Sequence, residues 1–272
     1  MKIPGIIVTT SKRPTYEIEQ AARAIALRCS VPYVPRKQGR IISVERLCSE
    51  HEAKAAYVVS RQRHEIRALG GGQAFVNPGP LHVFLRVGRS HPLIRALCPP
   101  GEAELTHMVD ATLGLAKNAI CIAAVFGCEV LGLESSPLMT CLLEEGLPRL
   151  IREEGYWSEP ASHVSLHHAD ASEWLESAGA DMTDVVYLDP MFEAPIPHPM
   201  TDVFRLIADT RPLSGRLLNA ALRAAKRRVV YRIPSTLPTK SAGPVPGIWT
   251  TRVRGKHVDY LVAPARSATV DT

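Results

Sequence analysis

From residue 105 onward the sequence alternates between short apolar runs and helical stretches, and this alternation limits the possible folds more than any other feature. The predicted strands cover residues 105–110, 129–134, 163–169, 185–188 and 227–233. Consecutive strands that are joined through helices form a parallel sheet with right-handed crossovers. The sequence therefore predicts an α/β domain. Two final strand-like runs, GIWTTRV and HVDYLVA, predict an antiparallel hairpin at one edge of its sheet.

Four of these strands end in, or beside, an acidic residue: Asp110, Glu134, Asp170 and Asp189. Open α/β sheets bind their ligands at the carboxyl ends of the strands, so the acids favour a nucleoside-binding site. Acids that stand at strand ends by coincidence are the alternative. The acids fall on separate strands without a paired histidine at ligand spacing, and we therefore expect no bound metal.

A turn of small residues, Thr112, Gly114 and Ala116, follows the first of these strands and leads into a helix. Small residues let the backbone approach a ligand closely, and the helix offers free N–H groups. Glu134 lies 20 residues beyond Gly114, about the separation at which a carboxylate meets ribose hydroxyls. A dinucleotide oxidoreductase would share this order, but the turn reads D-x-T-x-G-x-A and not G-x-G-x-x-G.

Residues 185–192, VVYLDPMF, carry the most specific chemistry. Asp189 can accept a hydrogen bond from an exocyclic amino group, Pro190 fixes the turn, and Phe192 can stack on a flat base. Many strands end in Asp-Pro for turn reasons only, and Phe192 would then be a core aromatic residue. Together with the upstream acids, the segment predicts that Asp189, Pro190 and Phe192 are catalytic.

The order of these motifs resembles the cofactor site of class I S-adenosylmethionine-dependent methyltransferases, and DPMF resembles the D-P-P-[YF] motif of enzymes that methylate exocyclic amino nitrogens of bases. Residues 105–263 resemble more closely the RsmJ family of small-subunit ribosomal RNA guanine-N2 methyltransferases. The matching segments are DATLGLAKNAICIAAVFGCEVLGLESSPLMTCLLEEGL, LHHADASEWL, VVYLDPMF, AAKRRVVYRIPSTLP and KHVDYLVA.

The resemblance implies a Rossmann-like class I methyltransferase sheet of seven strands with the last strand antiparallel, and S-adenosyl-L-methionine as the cofactor. It also implies that the substrate is an amino group of a base in RNA, namely guanine N2 of small-subunit ribosomal RNA. Carried over position by position, it implies cofactor contacts at Lys117, Asn118, Glu134, Ser135, Asp170, Ala171 and Asp189. The small-residue turn adds Asp110, Thr112 and Gly114 to the predicted cofactor site.

Two segments depart from the RsmJ pattern. After DPMF this chain continues EAPIPHPM without a lysine, and the first hundred residues, opening IIVTTSKRPT, resemble an uncharacterised Gram-positive branch of the same superfamily. Both differences fall where a substrate would be selected. A DNA adenine-N6 methyltransferase, and a nucleic-acid-binding protein that has the fold but not the activity, therefore stay open as alternatives.

Pro99-Pro100-Gly101 predicts a boundary between a small α+β domain, residues 1–99, and a catalytic domain, residues 100–272. In the first domain the patterns predict strands at 3–9, 31–34 and 55–60, helices at 14–29 and 43–53, a hairpin around 70–72, and helical pieces interrupted at Gly88 and Pro92.

Charge is divided at the same place. Residues 1–99 carry 16 Lys and Arg against 6 Asp and Glu, whereas residues 100–272 carry 16 against 21. A basic segment beside an acidic one favours phosphate binding, and a solvated basic surface is the alternative. The candidate RNA contacts are Lys12, Arg13, Arg86, Arg89 and Arg95.

The overall composition predicts a cytoplasmic protein. Hydrophobic residues make up 46% of the chain, as in ordinary globular proteins, and no apolar run approaches the roughly 20 residues of a membrane span. The six cysteines form no C-x-x-C pair, and we expect them to be buried free thiols.

Overall fold

A computed structural model describes residues 5–36, 42–191, 199–238 and 248–265, with the side chains of 199–202 left undescribed. Its strands are β1 Ile6–Thr10, β2 Ala55–Val59, β3 Glu65–Ala68, β4 Gln73–Ala74, β5 His107–Asp110, β6 Glu129–Glu134, β7 Val164–His168, β8 Thr183–Leu188, β9 Ala225–Pro234, β10 Thr251–Val253 and β11 Val258–Pro264. Its helices are α1 Tyr16–Arg28, α2 Val44–Glu50, α3 Leu81–Val87, α4 Pro92–Leu97, α5 Lys117–Phe126, α6 Pro137–Arg152, α7 Ser158–Ser162, α8 Ala171–Ser177, α9 Pro199–Ile207 and α10 Gly215–Ala224.

The chain forms two compact units whose bounds differ from the predicted domains. The first unit comprises the described parts of 1–77, 136–149 and 194–209, and the second comprises those of 78–135, 150–193 and 210–272. The predicted boundary at residue 99 is displaced because α3 packs on α5, and α4 packs on β9, β10 and β11, which draws both helices into the second unit. Segments from the middle of the chain complete the first unit.

The first unit is built on a four-stranded sheet of order β1-β2-β3-β4. β1 and β2 are parallel, and β2, β3 and β4 pair antiparallel. The hairpin around residues 70–72 and the helix cap at Ser43, which accepts a hydrogen bond from the Arg46 N–H, agree with the sequence patterns. The strand predicted at 31–34 is reduced to an isolated parallel bridge of Tyr33 with Val8. The Val8 N–H donates to the Pro32 carbonyl and the Val34 N–H to the Val8 carbonyl, each at 2.8 Å, so the segment pairs with β1 at one residue only.

The second unit contains a seven-stranded sheet of order β10-β11-β9-β8-β5-β6-β7. β5 to β9 are parallel, and β11 runs antiparallel to both β9 and β10. The predicted parallel sheet and edge hairpin are therefore confirmed. β5 lies between β6 and β8, so the chain winds outward from it in both directions and the crevice at its carboxyl end is the ligand position of open α/β sheets.

The central parallel strands are largely buried, which explains their nearly continuous apolar sequences, whereas the edge strand β7, VSLHH, is mostly exposed. All six residues of β8 are buried, and Val186 and Leu188 pack in one core cluster with Leu218, Leu222 and residues of β9. The six cysteines are buried free thiols, as predicted. Within the described residues, no helix is long and apolar enough to cross a membrane.

Candidate functional site

The turn between β5 and α5 is fixed against the end of β6. The Leu113 N–H donates to the Leu133 carbonyl at 3.0 Å, and the Leu113 side chain lies where a Cβ on Gly132 would stand, at 2.4 Å. Gly114 takes φ +56°, and its N–H donates to Glu134 Oε2 at 3.0 Å. Glycine at position 114 satisfies this left-handed turn without strain, and the carboxylate of β6 holds it in place.

A chain of hydrogen bonds joins the carboxyl ends of β5 and β8. The Thr112 N–H donates to Asp110 Oδ1 at 3.0 Å, and Thr112 Oγ1 accepts from the Asp189 N–H at 2.7 Å. Asp110 is only 2% exposed. The structure thus brings Asp110, Thr112 and Asp189 together, although Asp110 and Asp189 are 79 positions apart in the sequence.

The Asp189 carboxylate is held by two further elements. Arg232 Nη1, on β9, donates to Oδ1 and Oδ2 at 3.0 and 2.8 Å, and Asn118 Nδ2, on α5, donates to Oδ2 at 3.0 Å. Asn118 also lies 3.3 Å from the Tyr187 hydroxyl. The sequence patterns do not single out Arg232 or Tyr187 as site residues. The available signal for Arg232 was a cation within the apolar run VVYRI of β9.

The buried carboxylates at this site have raised pKa values. Burial raises the pKa of Asp110 to about 7; hydrogen bonds from Thr112 oppose the rise, and the charges of Asp189 and Glu134 add to it. Burial also raises the pKa of Asp189, against the opposing charge and hydrogen bonds of Arg232. Burial alone would lower the pKa of Arg232, but its neighbours, chiefly Asp189, raise it. Perturbation of this kind, in a strand-end crevice, is typical of functional sites.

The other strand-end acids lie beside the turn in the sheet. Glu134, 7% exposed, ends β6, and its carbonyl accepts from the Ala169 N–H at 3.1 Å, just before Asp170. Asp170 caps α8 by accepting from the N–H groups of Ser172 and Glu173, and Arg211 donates to its second oxygen at 2.6 Å. These partners lower the pKa of Asp170 despite partial burial, which acts in the opposite direction.

The remaining predicted site residues border this group, with one exception. Ser135 follows β6, and its carbonyl lies 3.3 Å from His168 Nε2. Lys117 and Ala171 begin α5 and α8, and Pro190 follows Asp189 in a partly exposed position. Phe192, which the sequence predicts to stack on the base, lies outside the described residues.

The residues predicted to contact RNA are divided between the units: Lys12 and Arg13 in the first, and Arg86, Arg89 and Arg95 in the second. All five are exposed. Lys12 and Arg13 lie in the turn between β1 and α1. Arg89 is already engaged, because it forms an ion pair with Glu104 and its guanidinium lies 4.4 Å from the centre of the Phe126 ring.

Glu134 and the Gly114 turn are the groups that the sequence predicts to contact a nucleoside. A carboxylate accepts several hydrogen bonds, and the Gly114 N–H occupies one acceptor position on Glu134. The turn between β5 and α5 contains Gly114, which has a left-handed backbone and no side chain that could block a ligand from this turn. Among the described residues, no group of three or more His, Cys, Asp or Glu could hold a metal ion.

Comparison with known proteins identifies a family and several relatives. Residues 82–252 match the family model described as "Putative SAM-dependent methyltransferase". The ribosomal RNA small subunit methyltransferase J of Marinobacter nauticus is 34% identical over 164 residues, which are 59% of this chain and 57% of that protein. The protein of the same name from Pseudomonas aeruginosa is 30% identical over 244 residues, 81% of this chain and 86% of that protein. The predicted resemblance to RsmJ is confirmed.

A further relative extends over the amino-terminal region. The uncharacterized protein YpiP of Bacillus subtilis is 28% identical over 239 residues, 83% of this chain and 88% of that protein. This match agrees with the resemblance of the first hundred residues to a Gram-positive branch. The chain spans little more than half the length of the Marinobacter relative and more than four fifths of the other two.

A solved structure shows the same fold. The crystal structure of a SAM-dependent methyltransferase from Neisseria gonorrhoeae has a TM-score of 0.64 and 24% identity, and the match covers 97% of both chains. Together with the seven-stranded sheet, it confirms the predicted fold class.

Proposed function

This chain belongs to the family of S-adenosylmethionine-dependent methyltransferases, and we propose that it methylates an exocyclic amino nitrogen of a base in RNA, namely N2 of a guanine in small-subunit ribosomal RNA. One observation carries the proposal. Asp189 lies at the carboxyl end of β8, and its backbone N–H donates a hydrogen bond to Thr112 in the small-residue turn that follows β5. A hydrogen-bond acceptor for an amino group is thereby attached to the predicted cofactor site.

The predicted cofactor residues fit S-adenosylmethionine. Glu134 would accept hydrogen bonds from the ribose hydroxyls, and the Gly114 backbone would lie against the nucleoside. Asp110 and Thr112 support the turn, and Lys117, Asn118, Ser135, Asp170 and Ala171 would complete the contacts. When bound, the cofactor supplies an electrophilic methyl group on a sulfonium.

The chain's own contribution to catalysis is the position of the amino group. An exocyclic amine that is conjugated with its ring is a poor nucleophile. A hydrogen bond from its N–H group to Asp189 would help to expose the lone pair of the amino nitrogen. Pro190 fixes the backbone that follows, and Phe192 would stack on the base and hold it in plane. Such alignment can supply most of the rate enhancement of an in-line displacement. No strong general base is required, because the methylated nitrogen is acidic enough to release its proton to solvent afterwards.

Two observations support RNA as the substrate. The relatives from Marinobacter nauticus and Pseudomonas aeruginosa are both named ribosomal RNA small subunit methyltransferases. In addition, the first unit contains 15 Lys and Arg against 10 Asp and Glu, whereas the second unit contains 17 of each. The basic excess is smaller than the division at residue 99 predicts, but it still lies in the first unit. Arg86, Arg89 and Arg95 belong to the second unit, and the segments 136–149 and 194–209 each carry one more acidic than basic residue.

The basic residues of the first unit include a cluster at one edge of its sheet, which we call the basic edge: Lys12, Arg13 and Arg61. β1 and β2 are parallel and pair up to Thr10 and Val59, and the Ser11 N–H donates to the Val59 carbonyl at 2.8 Å. The loops after the two strands therefore begin side by side. Lys12, Arg13 and Arg61 are exposed and make no ion pair within the described residues, so they would meet phosphates at little desolvation cost.

Methyl transfer from tritium-labelled cofactor would test the proposal. The acceptors are 30S subunits, free ribosomal RNA and genomic DNA from a strain that lacks the protein. We expect label in ribosomal RNA or in 30S subunits, released as N2-methylguanosine after nuclease digestion. Label in N6-methyladenine of DNA would identify the DNA-modifying alternative, and no label in any acceptor, with the cofactor bound, would favour an inactive nucleic-acid-binding protein.

A further inference from the structure

We propose that Arg232 is a positioning residue, which holds the Asp189 carboxylate in the orientation and state in which it accepts a hydrogen bond from the substrate amino group. This inference rests on the proposed function of Asp189. It concerns a residue of β9 that lies outside the DPMF segment and outside the predicted cofactor contacts.

The register of the sheet brings the two side chains together. Leu188 of β8 pairs with Tyr231 of β9, so Asp189 and Arg232 follow as the next residues at the carboxyl ends of the two strands. Arg232 Nη1 then bridges both carboxylate oxygens, at 3.0 and 2.8 Å. Both side chains are largely shielded, with 31% of Arg232 and 14% of Asp189 exposed, so solvent screens the pair only partly.

Three elements fix Asp189 in one orientation. β9 contributes Arg232, α5 contributes Asn118 Nδ2 on Oδ2, and the turn after β5 contributes Thr112 Oγ1 on the backbone N–H. Oδ2 therefore accepts from both side chains, whereas Oδ1 accepts from Arg232. The Tyr187 hydroxyl is a further hydrogen-bond partner of this carboxylate, so a substrate amino group would share its two oxygens with these three side chains.

The charge of Arg232 also favours the deprotonated form of the Asp189 carboxyl. Burial raises the pKa of Asp189, and Arg232 is the first influence that lowers it, followed by hydrogen bonds from Tyr187 and Asn118. Among the described residues, Asp110 at the end of β5, Tyr187 on β8 and Tyr260 on β11 also act on the pair, and none of these three is a cation. Without Arg232, the carboxyl would hold a proton at higher pH and would then offer a donor in place of an acceptor.

A purely structural role for the ion pair is the alternative. A buried pair that loses one partner destabilises the fold, because an uncompensated charge is left behind. Arg232→Gln therefore has to be compared with Arg232→Lys, which keeps the charge but replaces the planar guanidinium by a point donor. Arg228→Gln is the matched control, since Arg228 lies four positions earlier on β9 and forms an ion pair with Glu102.

The first measurement needs neither cofactor nor substrate. Carboxyl carbon NMR of aspartate-labelled protein, with the Asp189 signal assigned through Asp189→Asn, follows its titration. We expect Arg232→Gln to move this titration to higher pH, and Arg232→Lys and Arg228→Gln to leave it close to the wild type. An Asp189 titration that is unchanged in folded Arg232→Gln protein would overturn the inference.

The second measurement is methylation of the acceptor RNA across pH. For Arg232→Gln we expect kcat to fall at least tenfold at neutral pH and to recover as pH rises, with cofactor affinity and KM for RNA close to wild type. Arg232→Lys should keep the wild-type pH profile at a reduced kcat, and it remains informative if Arg232→Gln does not fold. A kcat of Arg232→Lys equal to the wild type would overturn the orienting part of the inference, because a point charge would then hold the carboxylate as well as the guanidinium does.

The two proposals fail in different ways. Wild-type protein that methylates no nucleic acid, while its Asp189 titration still responds to Arg232, supports the positioning of Asp189 and overturns the function. Wild-type protein that methylates RNA, with a kcat and pH profile that Arg232→Gln leaves intact, overturns the positioning role and supports the function.

Discussion

At the residue scale, Asp110 is the buried group with the clearest consequence for stability. Burial raises its pKa from 3.8 to about 7, so the folded protein binds this proton more tightly than the unfolded chain does. By linkage, Asp110 lowers the free energy of unfolding progressively as pH rises from about 4 to about 7, and the loss is complete above that window. Its contribution to stability is therefore most favourable at acidic pH.

The substitution Asp110→Asn isolates this effect. Asparagine does not titrate, and its Oδ1 can still accept from the Thr112 N–H. We expect the variant to gain stability relative to the wild type as pH rises from 4 to 8, by on the order of a few kcal/mol. Urea unfolding at several pH values measures the difference. Curves for the two proteins that stay parallel across this range would show that Asp110 titrates normally.

Glu134 carries the second prediction at this scale. Its carboxylate already holds the Gly114 N–H, so Glu134→Ala removes both the ribose acceptor and the support of the turn. Calorimetry with S-adenosylhomocysteine should show a loss of affinity of about 1–3 kcal/mol, the usual value for a charge-assisted hydrogen bond. Glu134→Gln keeps an oxygen for Gly114 and should lose less.

Glu129→Gln serves as the control for Glu134. Glu129 lies at the other end of β6, and its exposed side chain pairs with His163. Cofactor affinity should be unchanged in this variant. If Glu134→Ala bound the cofactor as tightly as Glu129→Gln does, the ribose-binding role would be wrong.

At the element scale, the strands and the small-residue turn could be predicted because their information is local. A continuous apolar run predicts a buried parallel strand, and an acidic residue at the end of the run lies at the carboxyl end of that strand. The ion pair of Asp189 with Arg232 could not be predicted in this way, since the partners are 43 positions apart and meet only through the register of β8 and β9. VPYV at 31–34 has a local strand pattern, but its pairing with β1 is limited to the single bridge of Tyr33 with Val8, and the pattern does not reveal this limit.

The contact between the turn and β6 gives a prediction for an element. A Cβ at position 132 would lie 2.4 Å from the buried Leu113 side chain, so Gly132→Ala must displace this side chain, which belongs to the turn that carries Gly114. We expect a loss of stability of about 1–3 kcal/mol, typical of overpacking, together with weaker cofactor binding. Thermal unfolding and calorimetry measure the two effects.

The double variant Gly132→Ala/Leu113→Ala tests the cause. Shortening Leu113 makes room for the new methyl group, so the double variant should be more stable than the sum of the two single effects predicts. Gly179→Ala is the matched control, because nothing lies within 4 Å of a Cβ at that position. If the effects of Gly132→Ala and Leu113→Ala on the free energy of unfolding were strictly additive, the clash with Leu113 would not be the cause of the lost stability.

At the scale of the whole molecule, the division into units changes the expected distribution of charge. The sequence places its basic excess in residues 1–99, but Arg86, Arg89 and Arg95 belong to the second unit, which carries equal numbers of acidic and basic residues. The unit to which α3, α4 and α6 belong depends on the elements they pack against. The distribution of charge along the sequence contains no such information. The basic edge is therefore a better-defined RNA candidate than the amino-terminal third as a whole.

Salt dependence tests the basic edge. Each phosphate contact to single-stranded RNA releases counterions, so the logarithm of the affinity falls by about 0.7 per logarithmic unit of salt for each contact. Replacement of Lys12, Arg13 and Arg61 by alanine should therefore flatten the slope by about 2, while cofactor affinity stays unchanged. The charge-matched control replaces Arg28, Arg46 and Arg216, which are exposed but paired with Glu144, Glu50 and Glu176. Equal slopes for the two triple variants would make the basic edge a solvated surface and would move the RNA contacts elsewhere.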